Sequence, residues 1–267
     1  MTGPFSSTVR ALCLAGLALL AACSTTTTVT ENRDMRAASE PADPERRARV
    51  RLELAGLYFG RGQNGTALDE IKTALTAKPD MPEAYSLRGL VYASMGDARQ
   101  AEENFLRALQ MAPTEGNTMQ SYGWFLCQER RYTEAEAQFE KALVQPQYRD
   151  AVRTYLAQGV CQARSGRWPE AERTLSRSYE LDPANPLTAF NLSEVLLRRG
   201  ELERARFYVR RINAVPDQVS SQSLWLAARI DRRLGNFDAL QDHGRQLRER
   251  FPQSPELLLF ERGRFDE

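Results

Sequence analysis

The side chains that most often perform chemistry are scarce in this chain. It contains one histidine, His243, and four cysteines, at positions 13, 23, 127 and 161. The cysteines lack the spacing of zinc sites, and no phosphate-binding loop, nucleophile elbow or zinc-protease helix occurs in the sequence. We expect His243 to be a structural side chain on a helix; a hydrolase that uses it is the enzymatic alternative. The sequence therefore predicts a protein without catalytic activity, bound metal or cofactor.

Cys23 lies in the pattern of a lipoprotein export signal. Residues 11–22 form an apolar run too short to span a bilayer, and Arg10 precedes it. The junction LAAC, residues 20–23, resembles the lipobox of bacterial lipoproteins, whose cysteine is acylated. We therefore expect lipidation of Cys23, with a buried cysteine in an ordinary helix as the alternative. The residue after the cysteine is Ser24 rather than an aspartate, which is typical of lipoproteins sorted to the outer membrane. We therefore expect a lipid-anchored protein facing the periplasm.

The first 45 residues are thus divided in two. Residues 1–22 are the expected signal peptide, and residues 23–45 are rich in Thr, Ser, Pro and charge without apolar periodicity. Such a composition predicts a flexible tether after the lipidated cysteine. About twenty extended residues reach roughly 70 Å, so the folded part can stand away from the membrane.

The overall composition is that of a globular protein. Hydrophobic residues make up 42% and charged residues 27% of the 267 residues, which excludes disorder of the whole chain. The formal net charge is +1. This balance argues against binding of nucleic acid, which favours a strongly basic surface.

A helical repeat fills most of the chain. Residues 82–115 match the tetratricopeptide helix-turn-helix unit at seven positions: Tyr85, Gly89, Tyr92, Ala101, Phe105, Ala108 and Pro113. Gly89 and Ala101 are small because two helices must cross closely, and the larger apolar residues recur at helical spacing. The small residue that opens the second helix recurs at intervals of 34, 34, 36, 34 and 34, at Ala67, Ala101, Ala135, Ala171, Ala205 and Ala239.

These intervals predict an all-α fold, a right-handed superhelical solenoid of about six tetratricopeptide repeats over residues 46–252. One unit cannot bury both of its faces, so the units must stack. We expect repeats at 48–81, 82–115, 116–149, 152–185, 186–219 and 220–252, with a two-residue insertion after the third. Residues 253–267 are expected to form a short capping helix; a docking tail for another protein is the alternative. Charged residues of the second helices, such as Glu102, Glu103 and Arg107, are expected to pair at i,i+4 on the solvent side.

Protein binding is the function that remains, and the concave side of the solenoid is its expected place. The first helices line that groove and are unusually apolar there, at Leu52, Phe59, Leu90, Trp124, Leu156, Val160 and Phe190. Leu197 and Trp225 belong either to the groove or to the core, since a one-residue shift rotates a helix by about 100°. We expect Trp124 and Phe190 to anchor a partner segment rather than a small-molecule substrate. The flanking polar side chains that can bond a peptide backbone are Asn117, Gln120, Asn191 and Arg198.

Cys127 and Cys161 lie late in the first helices of consecutive repeats. Such helices pack about 8 to 10 Å apart, so the two sulfurs can meet if their side chains face each other. The periplasm is oxidising. We expect a disulfide that clamps repeats three and four; two independent buried thiols are the alternative.

Three stretches resemble the type IV pilus biogenesis and stability lipoproteins PilW or PilF. They are YGWFLC at 122–127 followed by YTEA at 132–135, LWLAARIDRRLGNFDAL at 224–240 and LRERFPQSPE at 247–256. With the lipobox and six repeats, the resemblance covers nearly the whole chain. Repeat five departs from it, with Ser193 and Glu194 where smaller or apolar residues stack more simply.

The resemblance implies a pilotin, an outer-membrane lipoprotein that helps the pilus secretin reach that membrane and assemble into a ring. Its groove would hold the secretin or another pilus assembly protein, and its membrane contact would be the lipid anchor alone. The competing hypothesis is a generic periplasmic scaffold for outer-membrane protein assembly or cell-wall synthesis, because tetratricopeptide units alone do not separate these functions.

Overall fold

The computed structural model describes residues 43–265. The predicted signal peptide, Cys23 and the tether up to residue 42 lie outside this range. Within it the chain forms thirteen α-helices and a 3₁₀ turn at Pro216–Gln218, with no strand, and none of these helices is long and apolar enough to cross a membrane. The helices are α1 Pro44–Gly60, α2 Asn64–Ala77, α3 Pro82–Ser94, α4 Ala98–Met111, α5 Gly116–Gln128, α6 Tyr132–Leu143, α7 Ala151–Arg164, α8 Trp168–Leu181, α9 Pro186–Arg198, α10 Leu202–Asn213, α11 Ser221–Arg233, α12 Phe237–Arg250 and α13 Pro255–Glu261.

The helices pair into six hairpins, α1–α2 through α11–α12. Each second helix packs against the first helix of the next hairpin, and neighbouring first helices also touch. The last helix, α13, packs against both α11 and α12, as a following first helix does elsewhere in the chain. The described residues therefore form a solenoid of six repeats with a C-terminal capping helix, which confirms the predicted fold class.

Local sequence signals determine where the helices begin and turn. The Asp43 side chain accepts a hydrogen bond from the backbone of Glu45, and Pro44 fits the first turn, so α1 begins two residues before the predicted repeat domain. Five hairpin turns pass through a glycine with positive φ, a conformation that costs other residues more: Gly62, Gly96, Gly166, Gly200 and Gly235. The turn of repeat three uses Arg130 instead, at φ 61°.

Small side chains allow the paired helices to touch. A Cβ atom added at Gly89 would lie 3.1 Å from the ring of Phe105, which is fully buried. Repeat five has Ser193 at the corresponding place, and its hydroxyl donates a 2.8 Å hydrogen bond to the backbone oxygen of Ala205. This departure from glycine is therefore tolerated, because the buried hydroxyl is satisfied.

Acidic side chains near the start of the second helices join neighbouring repeats. Glu102 accepts 2.7 Å hydrogen bonds from the Tyr122 hydroxyl and from Arg131, both in the next repeat. Burial and this bond raise the pKa of Tyr122 well above its usual value. The expectation that Glu102 pairs on the solvent side is wrong, because the position after the small Ala101 faces the following hairpin. Glu103 does form a surface i,i+4 pair, with Arg99.

Two further acidic side chains make the same kind of link. Glu136 of α6 accepts hydrogen bonds from repeat four, and Glu172 of α8 pairs with repeat five. Their partners are Gln158, Gln162 and Arg167 for Glu136, and Arg199 and Arg204 for Glu172. At three consecutive interfaces, an acidic side chain of a second helix thus pairs with polar side chains of the next repeat.

The C-terminal segment closes the end of the solenoid. Leu257 and Phe260 of α13 are buried against the last hairpin. Gly263, at φ 67°, then reverses the chain and brings Phe265 back against α11, where it is also buried. Residues 253–265 therefore cover apolar surface that the sixth repeat would otherwise expose.

Candidate protein-binding groove

The seven predicted groove residues are spread over the first helices α1, α3, α5, α7 and α9. Each is half-buried: Leu52, Phe59, Leu90, Trp124, Leu156, Val160 and Phe190. All but Val160 pack with one side on a core cluster of the solenoid. A side chain held in this way leaves apolar surface that a partner can cover. Their role in binding stays a prediction.

Leu197 and Trp225 belong to the core. Leu197 is 2% exposed within the cluster that joins repeats four to six, and Trp225 is 7% exposed. The Trp225 ring lies 5.1 Å from the ring of Phe265, measured between centroids. The core alternative therefore holds for both residues, and Phe190 marks where the apolar groove stops.

Trp124 has an arginine stacked on its ring. The guanidinium of Arg164, in the last turn of α7, lies 4.9 Å from the ring centroid. The tryptophan projects from α5, so the contact bridges two neighbouring first helices. Cation–π contacts of this kind fix the orientation of an indole and place a positive charge beside it. The groove at repeats three and four therefore combines an aromatic surface with a cation.

The four predicted polar neighbours divide into two kinds. Asn117 donates to Glu115, and Asn191 donates to the backbone oxygen of Leu187, so both amides already serve their own helices. Gln120 is 4% exposed, and its Oε1 atom has no hydrogen-bond partner among the described residues. Arg198 is exposed on α9. Arg198 is therefore the better candidate to bond a partner, because the Gln120 Oε1 atom is buried.

Cys127 of α5 and Cys161 of α7 are joined as a disulfide in the structure. Their Cα atoms lie 5.8 Å apart, and both residues are buried. The nearby two-residue insertion adds a second tie between the same repeats. The ring of Tyr148 lies so close to Gly116 that a Cβ atom there would be 2.5 Å from it, and the Tyr148 hydroxyl bonds Thr154 of α7.

His243 of α12 lies in a polar cluster with Asp231 of α11. Its Nε2 atom is 2.9 Å from Asp231 Oδ2, and the carboxylate also receives a hydrogen bond from Asn236 and faces Arg206. Asp231 is 1% exposed, so these partners compensate a buried charge. The geometry is that of a structural histidine. Between residues 43 and 265, no group of three His, Cys, Asp or Glu side chains is placed to hold a metal ion.

Sequence reasoning named Arg198 but missed that it belongs to a row of arginines at one repeat position. Three arginines recur at intervals of 34 residues. They are Arg164 in the last turn of α7, Arg198 in the last turn of α9 and Arg232 in the last turn of α11. Arg164 stacks on Trp124, and Arg232 stacks on Phe265 at 4.7 Å. The signal was the repeat period itself, applied to charged rather than apolar positions.

Comparisons with known proteins agree with this architecture. Tetratricopeptide repeat family models match residues 82–115, 126–186 and 164–218. The crystal structure of PilW, described as a widely conserved type IV pilus biogenesis factor, is 30% identical and matches with a TM-score of 0.73. The match covers 79% of this chain and 96% of that one. The chain belongs to the PilW family of tetratricopeptide-repeat proteins.

The type IV pilus assembly protein PilF of Pseudomonas aeruginosa is a more distant relative. It is 24% identical over 82% of this chain and 86% of its own length. A solved structure of P. aeruginosa PilF matches with a TM-score of 0.70 at 22% identity, covering 82% of this chain and 99% of that one. At this identity the likeness supports the fold. The resemblance to PilW and PilF inferred from residues 122–127, 224–240 and 247–256 is thus confirmed.

Proposed function

We propose that this protein is a non-catalytic assembly factor for type IV pili that acts as a pilotin. It promotes the outer-membrane localisation and multimer assembly of the pilus secretin by binding it through the repeats. The observation that carries the proposal is the 30% identity with PilW, a type IV pilus biogenesis factor, over 96% of that chain. The name of PilF, a type IV pilus assembly protein, supports the same process.

The groove on the first helices is the surface proposed to hold the secretin or another pilus assembly protein. Trp124 and Phe190 offer half-buried rings there. Arg164 brings a cation to the Trp124 ring. Aromatic anchors surrounded by a few directed polar groups are typical of surfaces that bind protein segments.

The proposed anchor is Cys23, which the lipobox pattern marks for acylation. Several acyl chains on one residue hold a protein stably to a membrane, whereas a single chain holds it marginally. Residues 23–43 would then link the anchor to α1. This arrangement keeps the groove on the periplasmic side, where a secretin subunit arrives at the outer membrane.

A genetic experiment tests the proposal. In the source bacterium, deletion of the gene is expected to abolish heat-resistant secretin multimers and twitching motility. The wild-type gene should restore both, while Cys23→Ala should restore neither, because unanchored protein cannot deliver its partner. Cys13→Ala is the matched control, since this cysteine lies before the predicted cleavage site.

Normal multimers and normal twitching after deletion would overturn the pilotin function. In that case, defects in outer-membrane protein assembly or in cell-wall synthesis would identify the scaffold alternative. Pull-down of the acylated protein from membranes, followed by mass spectrometry, names the partner in either case.

A further inference from the structure

Phe265 is bound on α11 in a site formed by Trp225, Arg229 and Arg232, which is called the seat below. Its ring lies 5.1 Å from Trp225 and 5.5 Å from Phe260, measured between centroids. The Arg232 guanidinium covers it at 4.7 Å, and Arg229 Nε donates a 3.3 Å hydrogen bond to its backbone oxygen. The seat thus contacts both the side chain and the main chain of its occupant, as a peptide site does.

The seat lies on the first helix of the last hairpin and adjoins the preceding first helix. Trp225, Arg229 and Arg232 follow one another at i, i+4 and i+7 on α11, so they share one face of that first helix. Arg229 also pairs at 3.3 Å with Glu194 of α9, the preceding first helix. Phe265 therefore lies on the row of first helices, beyond the point where the apolar groove stops at Phe190.

Phe265 joins the cap of the solenoid only after helix α13 has ended. Helix α13 already buries Leu257 and Phe260 against the last hairpin. Phe265 comes after the chain has reversed at Gly263, and it reaches α11 as a separate element. Its position repeats a contact found in the groove, since Arg232 stacks on Phe265 as Arg164 stacks on Trp124.

The charges around the seat favour an acidic neighbour. Arg229 is mostly buried, and burial together with Arg198 and Arg233 lowers the pKa of its guanidinium, while Glu194 opposes this. Arg229 thus has one carboxylate and two other arginines near it. In the sequence, Asp266 and Glu267 follow Phe265 directly. The residue that fills the seat in cis is therefore followed in the sequence by two acidic residues.

We propose that this face of α11 is a binding site for an aromatic residue followed by acidic residues in a partner protein, and that Phe265 occupies it until the partner displaces it. The site does not depend on which pilus protein binds the groove. An occupant tethered in cis competes at an effective concentration near the millimolar range, so it weakens the apparent affinity of any partner in solution.

Fluorescence anisotropy with purified protein tests the site directly. The probe is a fluorescein-labelled peptide with the sequence of residues 262–267, and the control peptide has alanine in place of its phenylalanine. Phe265→Ala vacates the seat and is expected to bind the probe at least about tenfold more tightly than the wild type. Neither protein should bind the control peptide.

Two further variants separate the site from general effects. Adding Arg232→Ala to Phe265→Ala should remove most of the gained affinity, whereas adding Arg210→Ala, an exposed arginine of α10, should not. A chain ending at Glu261 keeps Leu257 and Phe260 of the cap and should bind the probe like Phe265→Ala, so a fold defect in one variant does not decide the result. Circular dichroism establishes that each variant is folded.

Three results would overturn the proposal. They are equal probe affinity in the wild type and in Phe265→Ala, absence of binding in both vacated variants, and a wild-type dimer that Phe265→Ala dissolves. The last would mean that Phe265 fills the seat of a second copy. Failure of the pilus experiments would leave these peptide measurements unaffected, so the two proposals fail independently.

Discussion

Trp124 is the main candidate anchor in the groove. It is half-buried on α5, lies in the YGWFLC stretch and carries the Arg164 guanidinium 4.9 Å from its ring. Truncation of a residue held in this way removes a large contact area from the groove. Phe190 has the same half-buried status on α9, so the two rings can act as separate anchors.

We expect Trp124→Ala and Phe190→Ala each to weaken capture of the pilus partner by about 2 kcal/mol or more, because aromatic hot spots dominate interface energetics. Titration of the purified domain against the partner identified from membranes measures the loss. Phe207→Ala is the matched control, since Phe207 is 53% exposed on the second helix α10. Unchanged capture in both variants would exclude the groove as the binding surface.

The Cys127–Cys161 disulfide gives a second prediction at this scale. Non-reducing mass mapping of periplasmic protein should recover the two cysteines in one linked peptide. Replacing both by serine should lower the free energy of unfolding by about 3–4 kcal/mol, the value expected for a closed loop of this length, in urea titrations. Two free thiols in the periplasmic material would refute the link.

The residues also show how far sequence can predict such a site. Gly89 and Phe105 revealed the fold because helix crossing constrains residue size at fixed intervals. Leu197 and Trp225 could not be assigned with the same certainty, because a rotation of about 100° separates groove from core. The position of Phe265 could not be predicted for another reason. Its contacts are with α11, about forty residues earlier in the chain, and local sequence patterns do not indicate contacts at that separation.

At the scale of helices, the acidic residues near the start of α4, α6 and α8 stabilise the contacts between repeats. Glu136 is the best connected, since it accepts hydrogen bonds from Gln158, Gln162 and Arg167 in the next repeat. Both glutamines are buried, at 6% and 4% exposure. The i,i+4 pattern of a single helix does not report such links, because the partners belong to another hairpin.

Glu136→Ala should therefore destabilise the protein by about 1–3 kcal/mol, since it leaves two buried amides without their acceptor. Chemical denaturation monitored by circular dichroism measures the change. Glu140→Ala on the same helix is the control, because Glu140 is exposed and should shift the midpoint little. Equal effects of the two changes would mean that the inter-repeat link contributes nothing.

Across the whole molecule, each repeat contacts mainly its neighbours, so stability should vary along the chain. We expect amide hydrogen exchange to be slowest in α5–α8, where the disulfide and the Tyr148 contacts join repeats three and four. Protection should decrease towards α1–α2, since end repeats open more readily. Reduction of the disulfide should remove the central maximum, and uniform exchange along the solenoid would contradict this distribution.

Helix α13 has a consequence for self-association. It packs on α11 and α12 as each first helix packs on the hairpin before it, so it takes the place of the next unit in a series that has no intrinsic limit. An uncovered sixth hairpin would offer that place to the leading hairpin of another molecule. Contacts of this head-to-tail kind do not close, and they propagate into fibres. By covering the sixth hairpin, Leu257 and Phe260 therefore remove the surface on which molecules would associate end to end.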